Sequence, residues 1–128
     1  MVNIKNLEKK VDDRGWLAEI IRAEDVEPKE FGQFLITTAK PGITKGGHYH
    51  KRKNEWYCVI RGKAELYLKN LTSGQEENVI LDENNLQLVK IEPNVFHSIK
   101  NIGEDEMYLL AYTTEVFNSE DPDTFTLS

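Results

Sequence analysis

Long apolar runs are absent from this chain of 128 residues, and none approaches the roughly 20 residues that a membrane-spanning helix needs. It has a single cysteine, Cys58, so no disulfide can form within the chain. The opening Met1-Val2-Asn3-Ile4-Lys5-Asn6 lacks the apolar core of a secretory signal. Together these absences predict a cytoplasmic protein with no membrane partner. An excess of positive charge is missing too: 16 Lys and Arg stand against 22 Asp and Glu, a formal net charge of -6. A sequence-independent grip on nucleic acid is therefore not expected, and any anionic ligand must be met by a local basic cluster. What remains is ordinary for a soluble globule, 39% hydrophobic and 30% charged, and long enough to bury a core as one domain over residues 1–128.

A sustained 3.6-residue apolar period is also lacking, and short β-branched or aromatic runs take its place. Residues 5–22 alternate weakly around the turn-like Asp12-Asp13-Arg14-Gly15, which predicts two short strands. Residues 23–31 are acidic, contain Pro28 and read as a connector, with room for a helical turn in 26–31 or near the C-terminus. Strands follow at 32–39, 56–61, 63–69, 78–81, 86–91, 96–101 and 106–114, with 56–61 and 63–69 expected to form a hairpin about Gly62. About nine short strands punctuated by Gly, Pro and Asn imply an all-β sandwich or barrel. Trp56, Cys58 and Ile60 alternate with Glu55, Tyr57 and Val59, so both faces of that strand are largely apolar and both need cover. A second subunit is the expected outer cover, hence a homodimer; residues 1–22 of the same chain are the alternative.

Histidine is scarce, and its placement is informative. His48 and His50 are one residue apart, so on an extended strand both imidazoles face the same way. Glu55 follows after four residues and can return to that face if residues 51–54 bend. His97, on a late strand, can supply a fourth group from across a closed sheet. Three imidazoles and one carboxylate suit one divalent first-row metal, with zinc favoured over iron, manganese or nickel, and they leave one or two positions open. Beside them the run Lys51-Arg52-Lys53, with Lys45 nearby, is a candidate anchor for a pyrophosphate. Cys58 is expected to be inert packing.

The spacing Gly42, five residues, His48, one, His50, four, Glu55, six, Gly62 fits the first cupin motif at every fixed position. The second motif is looser: His97 and Asn101 are kept, Glu92 replaces its Pro and Asn94 replaces its Gly. Asn tolerates positive φ, so the turn before His97 can survive. The chain thus resembles the cupins, which implies a double-stranded β-helix, or jelly roll, with the ligands on its inner face. More closely, it resembles the C-terminal cupin domain of bifunctional capsular polysaccharide synthesis reductases and, more distantly, the dTDP-4-dehydrorhamnose 3,5-epimerases. The carriers are Asp13-Arg14-Gly15 with Glu19, Gly32-Gln33-Phe34, Pro41 through His50, Lys53-Asn54-Glu55, Phe96 through Asn101, Glu115 through Asn118, and Asp121-Pro122-Asp123-Thr124.

The resemblance implies a metal-dependent isomerase or epimerase acting on a nucleotide-linked 4-keto-6-deoxy sugar in cell-surface polysaccharide biosynthesis. By that likeness Arg14 and Glu19 hold the nucleotide, Lys45 is the basic residue before the catalytic histidine, and His48 sits at the position of the base. The 3,5-epimerases bind no metal, however, and His50 and Glu55 depart from their pattern. If all three imidazoles bind metal, another group must move the proton. Tyr57, two residues from Glu55 on the same strand face, is the first candidate. The same three-His, one-Glu set also serves small-molecule-binding cupins and metal-dependent oxygenases, the alternative readings.

Overall fold

The computed structural model describes residues 3–27 and 29–127. Among these lie eleven strands: β1 Asn3–Asn6, β2 Lys10–Asp12, β3 Gly15–Leu17, β4 Gln33–Ala39, β5 Thr44–His48, β6 Glu55–Arg61, β7 Lys63–Asn70, β8 Glu76–Asp82, β9 Gln87–Ile91, β10 Val95–Asn101 and β11 Met107–Thr113. The expected loop between two short strands is the β2–β3 hairpin, whose turn is fixed by the Arg14 N–H donating to the Asp12 carboxylate at 2.8 Å. One turn of 3-10 helix falls at Ala23–Asp25 rather than within 26–31, because Asp25 accepts the Arg22 N–H at 2.8 Å and the Lys5 ammonium at 2.9 Å. Pro28 lies outside the described residues.

Two antiparallel sheets face each other, one ordered β1-β9-β6-β11-β4 and the other β5-β10-β7-β8. This is the jelly-roll arrangement, with one correction to the expected strand pairing. β6 and β7 do not form a hairpin: β6 pairs with β11 and β9, whereas β7 pairs with β10 and β8. Gly62, at φ 90°, lets the chain turn a corner from one sheet to the other, and a Cβ there would press to 3.2 Å from the Met107 backbone.

Alternation decides what each strand buries. Leu66 and Leu68 of β7, Ile99 of β10, Val59 of β6, Val89 and Ile91 of β9, and Leu109 of β11 meet between the sheets. Each fully buried aliphatic side chain contributes about 1.5–3 kcal/mol relative to exposure. The outer face of β6 forms a second cluster. Trp56 and Cys58 pack with Leu86, Leu88 and Tyr112 beneath Leu7, Ala18, Ile20, Ile21 and Val26. Both faces of β6 are therefore covered, as its sequence required, but the outer cover comes from the same chain. Apolar side chains left exposed include Val11, Trp16 and Leu17 on the β2–β3 arm, and Phe31, Phe34 and Ile36 on and beside the edge strand β4.

Candidate metal centre

His48 ends β5 and pairs directly with His97 of β10, so both imidazoles enter the space between the sheets. Gly46 allows this approach: its φ is 87°, and a Cβ would lie 3.1 Å from the His97 carbonyl oxygen, beside the register shift between His97 and Ser98. His50 lies in the crossing from β5 to β6, and Glu55 begins β6 in the facing sheet. Asn94, at the position of the motif glycine, adopts φ 66° and donates its N–H to the His50 carbonyl at 2.7 Å. That bond joins the turn before His97 to the segment carrying His50.

His48, His50, Glu55 and His97 each offer a ligand atom within 4.8 Å of the other three. Their ring centroids stand 4.8 to 5.4 Å apart. His50 Nδ1 faces the Asp123 carbonyl at 2.7 Å, an acceptor only, so Nδ1 carries the proton. Its Nε2 lies 2.5 Å from Glu55 Oε1. His97 repeats the pattern, with Nδ1 3.0 Å from the Val95 carbonyl and Nε2 3.0 Å from the same Glu55 oxygen. The His97 Nε2 contact meets the distance of an ion pair but lacks hydrogen-bond geometry, so this fully buried nitrogen has no hydrogen-bond partner among the described residues. Two buried imidazoles with acceptors facing both nitrogens would each need a second proton. A divalent cation placed among the Nε2 atoms and Glu55 satisfies the same oxygens with neutral imidazoles, so the donor set fits a metal.

The electrostatics agree with ligands held in their coordinating forms. Burial, then the neighbouring His97 and His50, lowers His48 from 6.5 to about 4, so it is neutral at pH 7. Burial pushes the Glu55 carboxyl up, but the hydrogen bond with His50 and the close approach of the His97 imidazole outweigh it and hold the group well below the usual carboxylate range. Burial, reinforced by the Glu55 charge, raises the Tyr57 phenol well above its ordinary value. Tyr57 is buried on the inner face of β6 with its ring edge-on to His97 at 5.6 Å. Cys58, on the outer face, is raised to about 11 by burial, in keeping with inert packing.

The expected substrate residues separate. Lys45, paired with Ile99, is exposed at the sheet edge and donates to Thr37 Oγ1 at 2.9 Å, bridging the edge strands β5 and β4. Arg14 lies on the exposed arm, paired with Asp12 at 2.6 Å, and Glu19 pairs with Arg22. Ala18, Ile20 and Ile21, which flank Glu19, pack on the outer face of β6, while Glu55 and Tyr57 occupy its inner face. The five-stranded sheet therefore stands between Glu19 and the four metal-ligating groups of its own chain.

The basic run also divides. Lys51 lies over the Phe125 ring at 4.3 Å, and Arg52 is paired with Glu115 at 2.5 Å and Asp121 at 3.2 Å. Lys53 alone turns inward. It is 6% exposed, with its ammonium 5.9 Å from the Phe117 ring centroid and no hydrogen-bond or ion-pair partner among the described residues. The sequence marks the run as a candidate pyrophosphate anchor but does not separate the three cations.

Asp123, which the sequence marks only as part of the C-terminal tail, is the site's principal unforeseen contributor. It is 1% exposed, at φ 45°, and its carboxylate accepts N–H bonds from Lys51 at 2.9 Å, Arg52 at 3.1 Å and Lys53 at 3.0 Å. Its carbonyl orients His50, and the adjoining Phe125 exchanges two backbone hydrogen bonds with Tyr49. The tail thus clasps both ends of the His50 segment.

A polysaccharide biosynthesis C-terminal domain model matches residues 10–125, which includes all four candidate ligand residues and the Asp123 clasp. The chain belongs to this family. Among relatives of the polysaccharide biosynthesis C-terminal domain, a UDP-2-acetamido-2,6-beta-L-arabino-hexul-4-ose reductase of Pseudomonas aeruginosa is 36% identical over 117 residues, 91% of this chain and 30% of that protein. The chain therefore spans about a third of that relative's length. The spore coat polysaccharide biosynthesis protein SpsL of Bacillus subtilis is 31% identical over 127 residues, 95% of this chain and 84% of that protein. The fold is shared more widely. The structure of the Legionella pneumophila dTDP-6-deoxy-D-glucose-3,5-epimerase RmlC in complex with dTDP-4-keto-L-rhamnose superposes with TM-score 0.85 at 18% identity, over 98% of this chain and 72% of that one. This likeness shows the cupin jelly roll.

Proposed function

We propose that this domain is an isomerase or epimerase of a nucleotide-linked 4-keto-6-deoxy sugar, working with one divalent metal, zinc by preference, in the synthesis of a cell-surface polysaccharide in the cytoplasm. The observation that carries the reading is the convergence of His48, His50, Glu55 and His97 between the sheets of a polysaccharide biosynthesis domain. The names of its relatives support the substrate class. A hydrogen on the carbon beside a ketone is removable only where charge growing on the keto oxygen is stabilised. A divalent ion held by the four residues supplies that Lewis acidity when bound.

The chain's own groups do the rest. His50 and His97 are buried and oriented by carbonyls, so they hold rather than react. His48 is the least buried of the four and neutral at pH 7, which suits it to coordination or, at an open site, to accepting the proton. Tyr57, kept protonated by burial, is suited to return a proton to the same carbon. Lys45 at the mouth meets the nucleotide portion. Arg14 and Glu19, separated from their own chain's centre by a sheet, serve the centre of a second copy in a homodimer joined through the exposed arm and β4.

The test combines metal analysis of protein purified without chelator with deuterium exchange from solvent into uridine and thymidine diphosphate 4-keto-6-deoxy sugars. Close to one divalent ion per chain and deuterium at the carbon beside the ketone are expected. His50→Ala should lose both. Full metal loading without exchange on either sugar series would sink the isomerase reading and favour a binding cupin or an oxygenase.

A further inference from the structure

Lys53 is unusual for a surface loop: the residue is only 6% exposed, so its stem is buried, while its ammonium keeps contact with water and has no carboxylate within ion-pair distance among the described residues. Lysines with buried stems are normally paired. Its neighbours are already committed: Asp123 to three backbone N–H groups, Glu115 and Asp121 to Arg52, and Glu55 to two imidazoles. None is left to neutralise it among the described residues. Nor does the metal centre call for another cation. A divalent ion with three neutral imidazoles and the single Glu55 carboxylate already leaves one net positive charge, and Lys53 brings a second beside it.

With an ion bound, two uncompensated positive charges near one another would match a ligand carrying two negative ones. Lys53 precedes Glu55 by two residues on the inward side, and its ammonium lies toward the exposed Phe117 ring. It is close in sequence to the candidate ligand Glu55 without belonging to the cluster. Lys45, exposed at the sheet edge, is already bonded to Thr37. We propose that Lys53 is the fixed cation that receives the diphosphate of the nucleotide-linked substrate, a specificity-determining contact that selects a doubly charged diphosphate over uncharged sugars. The proposal rests on the nucleotide-sugar reading above, but its test does not require turnover.

The experiment is calorimetric titration of metal-loaded and metal-free protein with UDP, dTDP and uncharged uridine, at about 50 mM and about 500 mM salt. Wild-type protein should bind at least one diphosphate, lose affinity at high salt, and bind uridine weakly in both salts. Lys53→Met should bind that diphosphate about tenfold or more weakly with its metal content unchanged, and Lys53→Arg should restore most of the affinity. If Lys53→Met does not fold, the wild-type salt dependence and Lys53→Arg still decide. Salt-insensitive diphosphate binding, or equal affinity in Lys53→Met and wild type, overturns the proposal. Absence of diphosphate binding in a protein that exchanges deuterium into keto sugars also overturns it, while leaving the isomerase reading intact. Lys53-dependent diphosphate binding without exchange on any sugar retains the subsite and removes the isomerase.

Discussion

Asp123 occupies left-handed backbone, which most side chains avoid, and its carboxylate gathers three successive N–H groups there. Asp123→Gly relieves the backbone and keeps the carbonyl that orients His50, so it isolates the carboxylate. The loss of three acceptor contacts should cost about 1–3 kcal/mol in urea unfolding and weaken metal about 10-fold to 100-fold in chelator competition. His48 gives a prediction in pH. Its folded value, about 4, lies below its unfolded 6.5, so the unfolded chain binds the extra proton first. Its contribution to metal-free stability is complete above about pH 6.5 and declines as pH falls through that window toward 4. Thermal melts of metal-free protein should therefore fall steeply across it, and His48→Gln should flatten the decline. At this scale the convergence of the four donor residues and the Asn94 turn were legible, because each depends on short spacings within or beside one or two strands. Asp123 and Lys53 were not: one acts across 73 residues, and the other differs from Lys51 and Arg52 only in which way the folded loop turns it.

Among the elements, β5 is the one most tightly bound to the site. Gly46→Ala would place a methyl group 3.1 Å from the His97 carbonyl oxygen at positive φ, displacing the strand that presents His48. We expect a loss of about 1–3 kcal/mol in stability together with weaker metal retention after gel filtration, whereas Gly74→Ala, at φ 80° with open space around it, should cost stability and spare the metal. Strand positions were largely readable from alternation, since apolar residues at every second position specify a buried face whatever strand lies beside it. Pairing was not. The Gly62 corner resembles a hairpin in sequence, and only the apolar inner faces of both β6 and β7 show that they oppose each other across the core instead of sharing hydrogen bonds. The short β1 was missed because its four residues gain their order by pairing with β9.

At the scale of the whole molecule, the apolar outer face of β6 was correctly read as needing cover, but the covering layer is residues 7–26 of the same chain. Half of the exposed large apolar residues lie on the two-stranded arm and on or beside the edge strand β4, both of which would gain from a partner: a lone hairpin is marginal in water, and an open edge invites pairing. Light scattering at micromolar concentration should report a dimer, and Trp16→Ser with Phe34→Ser should yield a monomer that retains its metal. A wild-type monomer would remove the second copy from the site and leave Arg14 and Glu19 without a role in it. The tail clasp has one further consequence, for synthesis on the ribosome. All four ligands have been translated once His97 is added, yet His50 is not oriented until Asp123 arrives. A nascent chain halted between these residues would carry a complete set of donor atoms and should still load metal poorly, so metal uptake is expected to follow translation of the tail.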